Sequence, residues 1–315
     1  MMPAERLTPP LIERLPAVRG RLDSNEPLSR FTWFKVGGPE DVLFRPADVD
    51  DLSAFLAGCP LDVPVMVMGN ASNMLVRDGG VRGVVIRLGR AFQTIRMDGE
   101  FVHAGGGAAD LSIARVARDA GLAGLEFLAG IPGTIGGAVF MNAGAYGHEL
   151  KDVLVYSRAI RRDGTVADLP AAEMAFDYRR SSLSAGEIVI DVTLKGAPGE
   201  VDAIRERMTD IHAAREESQP VRTPTGGSTF KNPAGGSAWE LIDAAGCRGL
   251  RSGGAMVSEQ HCNFLVNTDG ATAADLETLG EEVCRRVMAY AGVQLEWEIR
   301  RVGEPADSGL SEVTV

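Results

Sequence analysis

The stretch FLAGIPGTIGGAVFMNAGAYG, from Phe127 to Gly147, carries no charged side chain, yet it holds six glycines, a proline and an asparagine. A run of that length without charge would suit a membrane span. Its glycines and proline give it poor helix propensity, however, and little gain on transfer to lipid. An apolar surface of small residues instead lets backbone lie flat against a large planar ligand. The segment therefore predicts a ligand-facing loop within a folded domain, and no membrane insertion is expected.

With 315 residues, 45% of them hydrophobic and 24% charged, the chain exceeds what one core usually organises, and two or three domains are expected. The net charge of −11 argues against a nucleic-acid surface. An anionic ligand would have to be held by local arginines, lysines and backbone amides. Cys59, Cys247, Cys262 and Cys284 form no CxxC pair and no zinc-like spacing, and His103, His148, His212 and His261 are scattered, so no metal site is expected. That cysteine usage suits a reduced cytoplasm. The N-terminal MMPAERLTPPLIERLPAVRG has prolines and charges where a signal peptide needs an apolar run, so no secretion is predicted.

Residues 63 to 97 alternate the β-like runs VPVMVMG, NMLVRD and GVVIRLG after a helix that Asp48 caps and that Leu52, Phe55 and Leu56 make apolar on one side. TIRMDGEFVHA reads as a hairpin with a type I′ turn at Asp98-Gly99, and Asp110 reads as the cap of LSIARVARDA. A second Asp-Gly hairpin lies in YSRAIRRDGTVADL, followed by the strand EIVIDVTL. In EVDAIRERMTDIHAAREES, Val201, Ile204, Met208 and Ile211 share a helical face that ends before Gln219-Pro220. Beyond that proline come a capping box at Ser237 and Glu240, a strand in HCNFLVN, a helix from about Ala273 to Ala291 and a last strand, LEWEIRRVG. The expected domains are 1–97, 98–218 and 219–303, with a flexible tail at 304–315.

Gly69-Asn70-Ala71-Ser72-Asn73 joins two β-like runs, and successive amides in such a turn can enclose a pyrophosphate. Gly105-Gly106-Gly107 opens the nearest match to a nicotinamide dinucleotide fingerprint, but Asp110 stands where its third glycine belongs. In TPTGGSTFKNP, Gly226-Gly227 suggests a tight approach that sets the Ser228 hydroxyl in a fixed place.

In content and order, GNASNMLVRDGGVRGVVI, GLEFLAGIPGTIGGAVFMNAGAYG, GGSTFKNP, GGAMVSEQHCNFLVN and EIRRVG resemble the UDP-N-acetylenolpyruvoylglucosamine reductases of bacterial peptidoglycan synthesis. The resemblance spans about residues 30 to 303 and fits the family's shorter form, without its tyrosine-bearing loop. It implies an α+β chain: a two-subdomain FAD-binding module of the vanillyl-alcohol-oxidase type plus a C-terminal α/β substrate-binding domain. It also implies non-covalent FAD, NADPH as co-substrate and a UDP-sugar whose enolpyruvyl ether becomes a lactyl ether. Ser228 is then the proton donor, Arg179 an active-site residue and Glu298 the second acid. Gly69, Asn70, Ala71, Ser72 and Asn73 match one flavin loop; Gly130, Ile131, Pro132, Gly133, Thr134, Gly136 and Gly137 match another. Tyr178, Lys231 and Asn232 are expected at the substrate. Trp297 stands before Glu298 where the family often has proline.

Hydride delivered to the terminal enolpyruvyl carbon leaves negative charge on its neighbour and on the carboxylate, which is where donors should point. Arg179 offers a planar fork suited to that carboxylate, with Arg180 beside it as the competing choice. A serine is a weak acid, but a carbanion-like carbon is a strong base, and Lys231, if close, would stabilise the alkoxide. On LEWEIRRVG the period of two puts Glu296, Glu298 and Arg300 on what alternation alone makes a solvent face, so only the family motif selects Glu298. Another flavoprotein of the same fold, or a non-catalytic nucleotide-sugar binder, is the alternative. A monomer is the default expectation.

Overall fold

Asp48 starts the first long helix as its spacing predicts: its carboxylate accepts the Asp51 N–H at 2.9 Å, and Leu52, Phe55 and Leu56 of Val49–Gly58 are buried. The computed structural model describes residues 10–184 and 186–306. The helix packs on a four-stranded sheet in the order Arg21–Asp23, Glu40–Arg45, Val81–Ile86, Val65–Val67, whose last three strands run parallel. Both faces of that sheet are covered. Val84 and Ile86 join the core under the helix, while Val85 and Val81 join a smaller one behind it, so the end of Val81–Ile86 is apolar on both faces.

The second sheet is antiparallel: Val166–Pro170, Leu154–Ile160, Ile188–Lys195, Phe101–Gly105, Ile95–Asp98. Its core takes in Ile113 and Ala117 of helix Asp110–Asp119 and Ile204 and Met208 of helix Val201–Ser218. The register Asp98↔Phe101 moves the hairpin turn to Gly99-Glu100. Only Gly99 has positive φ, at 57°, whereas the expected type I′ turn needs it at both central residues. Asp110 is also not a cap. Ala109 takes that place, and Asp110 is the first helical residue, its side chain turned inward.

The second hairpin docks its tip on the first lobe. Arg162 donates to the carbonyl of Leu56 at 3.0 Å, an acceptor that the end of helix Val49–Gly58 leaves open, and to that of Pro60 at 2.8 Å in the turn beyond it.

A third sheet, Thr225–Ser228, Phe264–Asn267, Ala255–Val257, Arg251–Ser252, carries helices Ala238–Ala244 and Ala273–Ala291. The capping box expected at Ser237 does not form. Asn232 Oδ1 accepts the Ala238 N–H instead, at 2.9 Å. The long helix opens on a Thr272–Asp275 box and on Asp78, whose two oxygens accept the Ala273 and Ala274 N–H groups at 2.9 Å.

The last predicted strand is broken. Trp297 bridges Phe230 and lays its ring where a Cβ on Gly280 would stand; Arg300–Val302 then leaves the third lobe to pair in parallel with Met74–Val76 of the first. Arg77 and Arg301 both reach Glu277, at 2.7 and 3.0 Å. Glu304, placed in the expected tail, still pairs with Gly80; from residue 307 that tail lies outside the described residues. No described helix is long and apolar enough to cross a membrane.

Candidate active site

The uncharged run that opened the sequence is cut into a 3₁₀ turn, Glu126–Gly130, a short helix, Ile135–Met141, and the small strand Gly144–Ala145. Its two adjacent glycines differ. A Cβ on Gly136 would stand 2.8 Å from the Gly106 carbonyl oxygen, whereas one on Gly137 would meet nothing nearer than Thr134 Oγ1 at 3.7 Å. Gly136 is therefore a packing glycine, and Gly137 opens onto a cavity of about 410 Å³.

The loop Gly69–Asn73 forms the facing wall. Asn70 Nδ2 donates to the Gly133 carbonyl at 3.1 Å, tying the two loops together. Asn73 Nδ2 donates to the Glu298 carbonyl at 3.2 Å, and the Asn73 carbonyl accepts the Arg300 N–H at 3.1 Å. All the residues predicted for both flavin loops line this one cavity, and so do Ser228, Arg179 and Glu298.

The glycines of TGGS behave as their sequence suggests. The strand Thr225–Ser228 carries a register break against Phe264–Asn267, with Gly227 at φ 82°, a conformation other residues rarely adopt. Gly226 packs beneath the Phe34 ring with no room for a side chain. The bulge thus delivers Ser228 to the cavity wall. Thr229, behind it, accepts the Glu298 N–H at 2.8 Å, which couples the serine strand to the glutamate segment.

Arg179 sits in a tight turn closed by paired hydrogen bonds between Asp177 and Arg180, and its φ of 54° is strained for a side-chain-bearing residue. Its Nε donates to Glu298 Oε1 at 2.6 Å, with both side chains largely buried. Nη2 reaches the Gly144 carbonyl at 3.5 Å, which leaves Nη1 for a ligand.

Three predicted substrate residues are not part of the wall. Lys231 lies beyond the end of the Ser228 strand and pairs with Glu296, side chain to side chain at 3.2 Å and backbone N–H to carbonyl at 2.9 Å; the expected contact with a Ser228 alkoxide is not made. Asn232 caps helix Ala238–Ala244. Tyr178 is exposed and supports the Arg179 guanidinium on its ring at 4.9 Å.

Other groups had no motif to announce them. Arg87, stacked on Phe31 at 4.2 Å, Arg300, stacked on Phe140 at 4.7 Å, and Arg215 all line the cavity, and none is in an ion pair among the described residues. Burial lowers the pKa of all three, which marks them as cations partly stripped of water. These are the local charges that an anionic ligand requires in a chain of net charge −11. Asp110 shares the wall, fully buried. An apolar cleft with open backbone at Gly137 and three desolvated arginines fits a dinucleotide cofactor.

A family model described as FAD binding domain matches residues 39–170, the part of the chain that supplies both loops. Fold and cavity together define an FAD-dependent oxidoreductase. A second family model, UDP-N-acetylenolpyruvoylglucosamine reductase, C-terminal domain, matches residues 219–302. The chain is 57% identical to the UDP-N-acetylenolpyruvoylglucosamine reductase of Parvibaculum lavamentivorans over 98% of this chain and 99% of that one. It is 58% identical to that of Paramagnetospirillum magneticum over 94% and 96%. The crystal structure of the Thermus caldophilus enzyme superposes with a TM-score of 0.80 at 38% identity, covering 90% of this chain and all of that one. This chain belongs to the UDP-N-acetylenolpyruvoylglucosamine reductase family.

Proposed function

We infer that the protein reduces UDP-N-acetylglucosamine enolpyruvate to UDP-N-acetylmuramate, with NADPH as electron source, in peptidoglycan precursor synthesis. The observation that carries this reading is the convergence of Ser228 and the Arg179–Glu298 pair on the cavity that both FAD loops line. FAD, held there without a covalent bond by the Gly69–Asn73 and Gly130–Gly137 loops, supplies a two-electron carrier between nicotinamide and the enolpyruvyl double bond. The remaining work falls to side chains. Arg179, aimed by Glu298 and by its strained turn, neutralises the charge that develops on the substrate carboxylate. Ser228 gives its proton to the neighbouring carbon from one fixed side, so hydride and proton together reduce the double bond.

Under this reading Arg215 and Arg300 receive the anionic parts of the UDP-sugar, and Lys231, Asn232 and Tyr178 contribute at most at its periphery. The protein works in the cytoplasm as a monomer; four free, buried cysteines support the reducing compartment. The test is NADPH oxidation by the purified yellow protein with and without the enolpyruvyl UDP-sugar. Turnover that depends on the sugar is expected. Oxidation of equal rate without it would point to another flavin oxidoreductase.

A further inference from the structure

Among the described residues neither buried carboxylate oxygen of Asp110 has a hydrogen-bond partner of good geometry, and the Gly133 N–H compensates only in part. The residue is fully buried, yet it belongs to the cavity wall. Its Oδ2 lies 2.8 Å from the place a Cβ on Gly133 would take, so the acid sits directly against the Gly130–Thr134 loop. Its own N–H donates to the Gly133 carbonyl at 3.3 Å, and Asn70 holds the same carbonyl from the other loop. Leaving a buried polar group unsatisfied is costly, and an apolar residue would avoid that cost. Retaining an acid at this point makes sense if its partner arrives with the ligand.

Burial drives the Asp110 pKa well above the ordinary carboxylate range, and the nearby Gly133 amide offsets this only in part. The charged groups elsewhere on the wall, Arg87, Arg179, Glu187, Arg215, Glu298 and Arg300, contribute nothing to that shift. A pyrophosphate brought into the cavity disfavours the ionised acid further. We propose that Asp110 is a positioning residue of the dinucleotide site: its carboxyl sets the Gly130–Gly137 loop, and occupancy of the cavity by FAD is linked to the proton that it carries. The proposal rests on the FAD reading given above.

The experiment strips FAD from the full-length protein and follows its return by flavin fluorescence from pH 6 to pH 9. Parent affinity is expected to be highest at the acid end and to fall as pH rises, because an ionised Asp110 opposes binding of the pyrophosphate. Asp110→Asn, of the same shape but without a titrating proton, should bind within roughly threefold of the parent at pH 6 and lose the slope. Parent affinity that does not vary with pH, or an Asn variant that keeps the slope, overturns the proposal. Should Asp110→Asn fail to fold, calorimetry of the parent in two buffers of different ionisation heat decides instead: proton uptake on FAD binding supports the linkage, and none across the range removes it. Failure to bind FAD at any pH strikes the proposed function, whereas tight binding indifferent to pH strikes this inference alone.

Discussion

The pairs Gly136-Gly137 and Gly226-Gly227 look alike in sequence and divide their labour alike. All four border the cavity, but in each pair the first glycine is pressed against protein, the Gly106 carbonyl or the Phe34 ring, and only the second has open space where a side chain would stand. They differ in backbone. Gly227 needs positive φ, while Gly137 lies in an ordinary helical turn, so one is constrained by conformation and the other only by the space a ligand takes. A doublet of glycines therefore marks one packing requirement and one functional one, which substitution can separate.

The largest effect is expected at the residue that the second pair delivers. Ser228→Ala should leave FAD reduction by NADPH intact and slow reoxidation by the enolpyruvyl sugar by roughly 10²- to 10⁴-fold, measured by rapid mixing at the flavin band. Parental reoxidation would mean that the bulge serves something other than proton delivery. Gly136→Val and Gly226→Val come next. Overpacking should lower the stability of the cofactor-free protein by about 1–3 kcal/mol in urea unfolding. An unchanged midpoint in both would erase the packing half of the comparison.

Gly137→Val should do the reverse: an unchanged urea midpoint without FAD, but FAD binding weakened about tenfold or more, about 1.4 kcal/mol, in a flavin titration. Full affinity would move the cofactor away from this helix. The smallest change is Gly227→Ala, which forces an L-residue into the left-handed region at about 1 kcal/mol. If its stability matched the parent, the bulge would have another accessible form.

The walls of the cavity were largely open to reading from residues alone, because loops whose backbone must stay uncovered need glycine and announce themselves. The helix behind Asp48 was legible from its cap and apolar spacing, and the helix Ala273–Ala291 was read with its observed bounds. Single cations were not. Arg87, Arg215 and Arg300 sit in separate elements, and only folding brings them to one cavity. Asp110 followed the pattern of a cap, since nothing local shows that a side chain at a helix start turns inward. Lys231 was expected beside Ser228 by adjacency in sequence, whereas the fold pairs it with Glu296. Glu298 shows the converse: alternation makes it a solvent residue, and a wall contributed by distant segments turns that solvent into a site. Trp297 in place of the family's frequent proline is matched by Gly280 beneath its ring.

The parallel pairing of Arg300–Val302 with Met74–Val76 also makes the first lobe depend on a segment far along the chain. Asn73 secures the Gly69–Asn73 loop through partners at Glu298 and Arg300, the first of them 225 residues away in sequence. Until that distant strand docks, a folding chain has both glycine loops but lacks the partner that secures one of them. A protein truncated before Glu298 should therefore emerge colourless however well its first two sheets have formed.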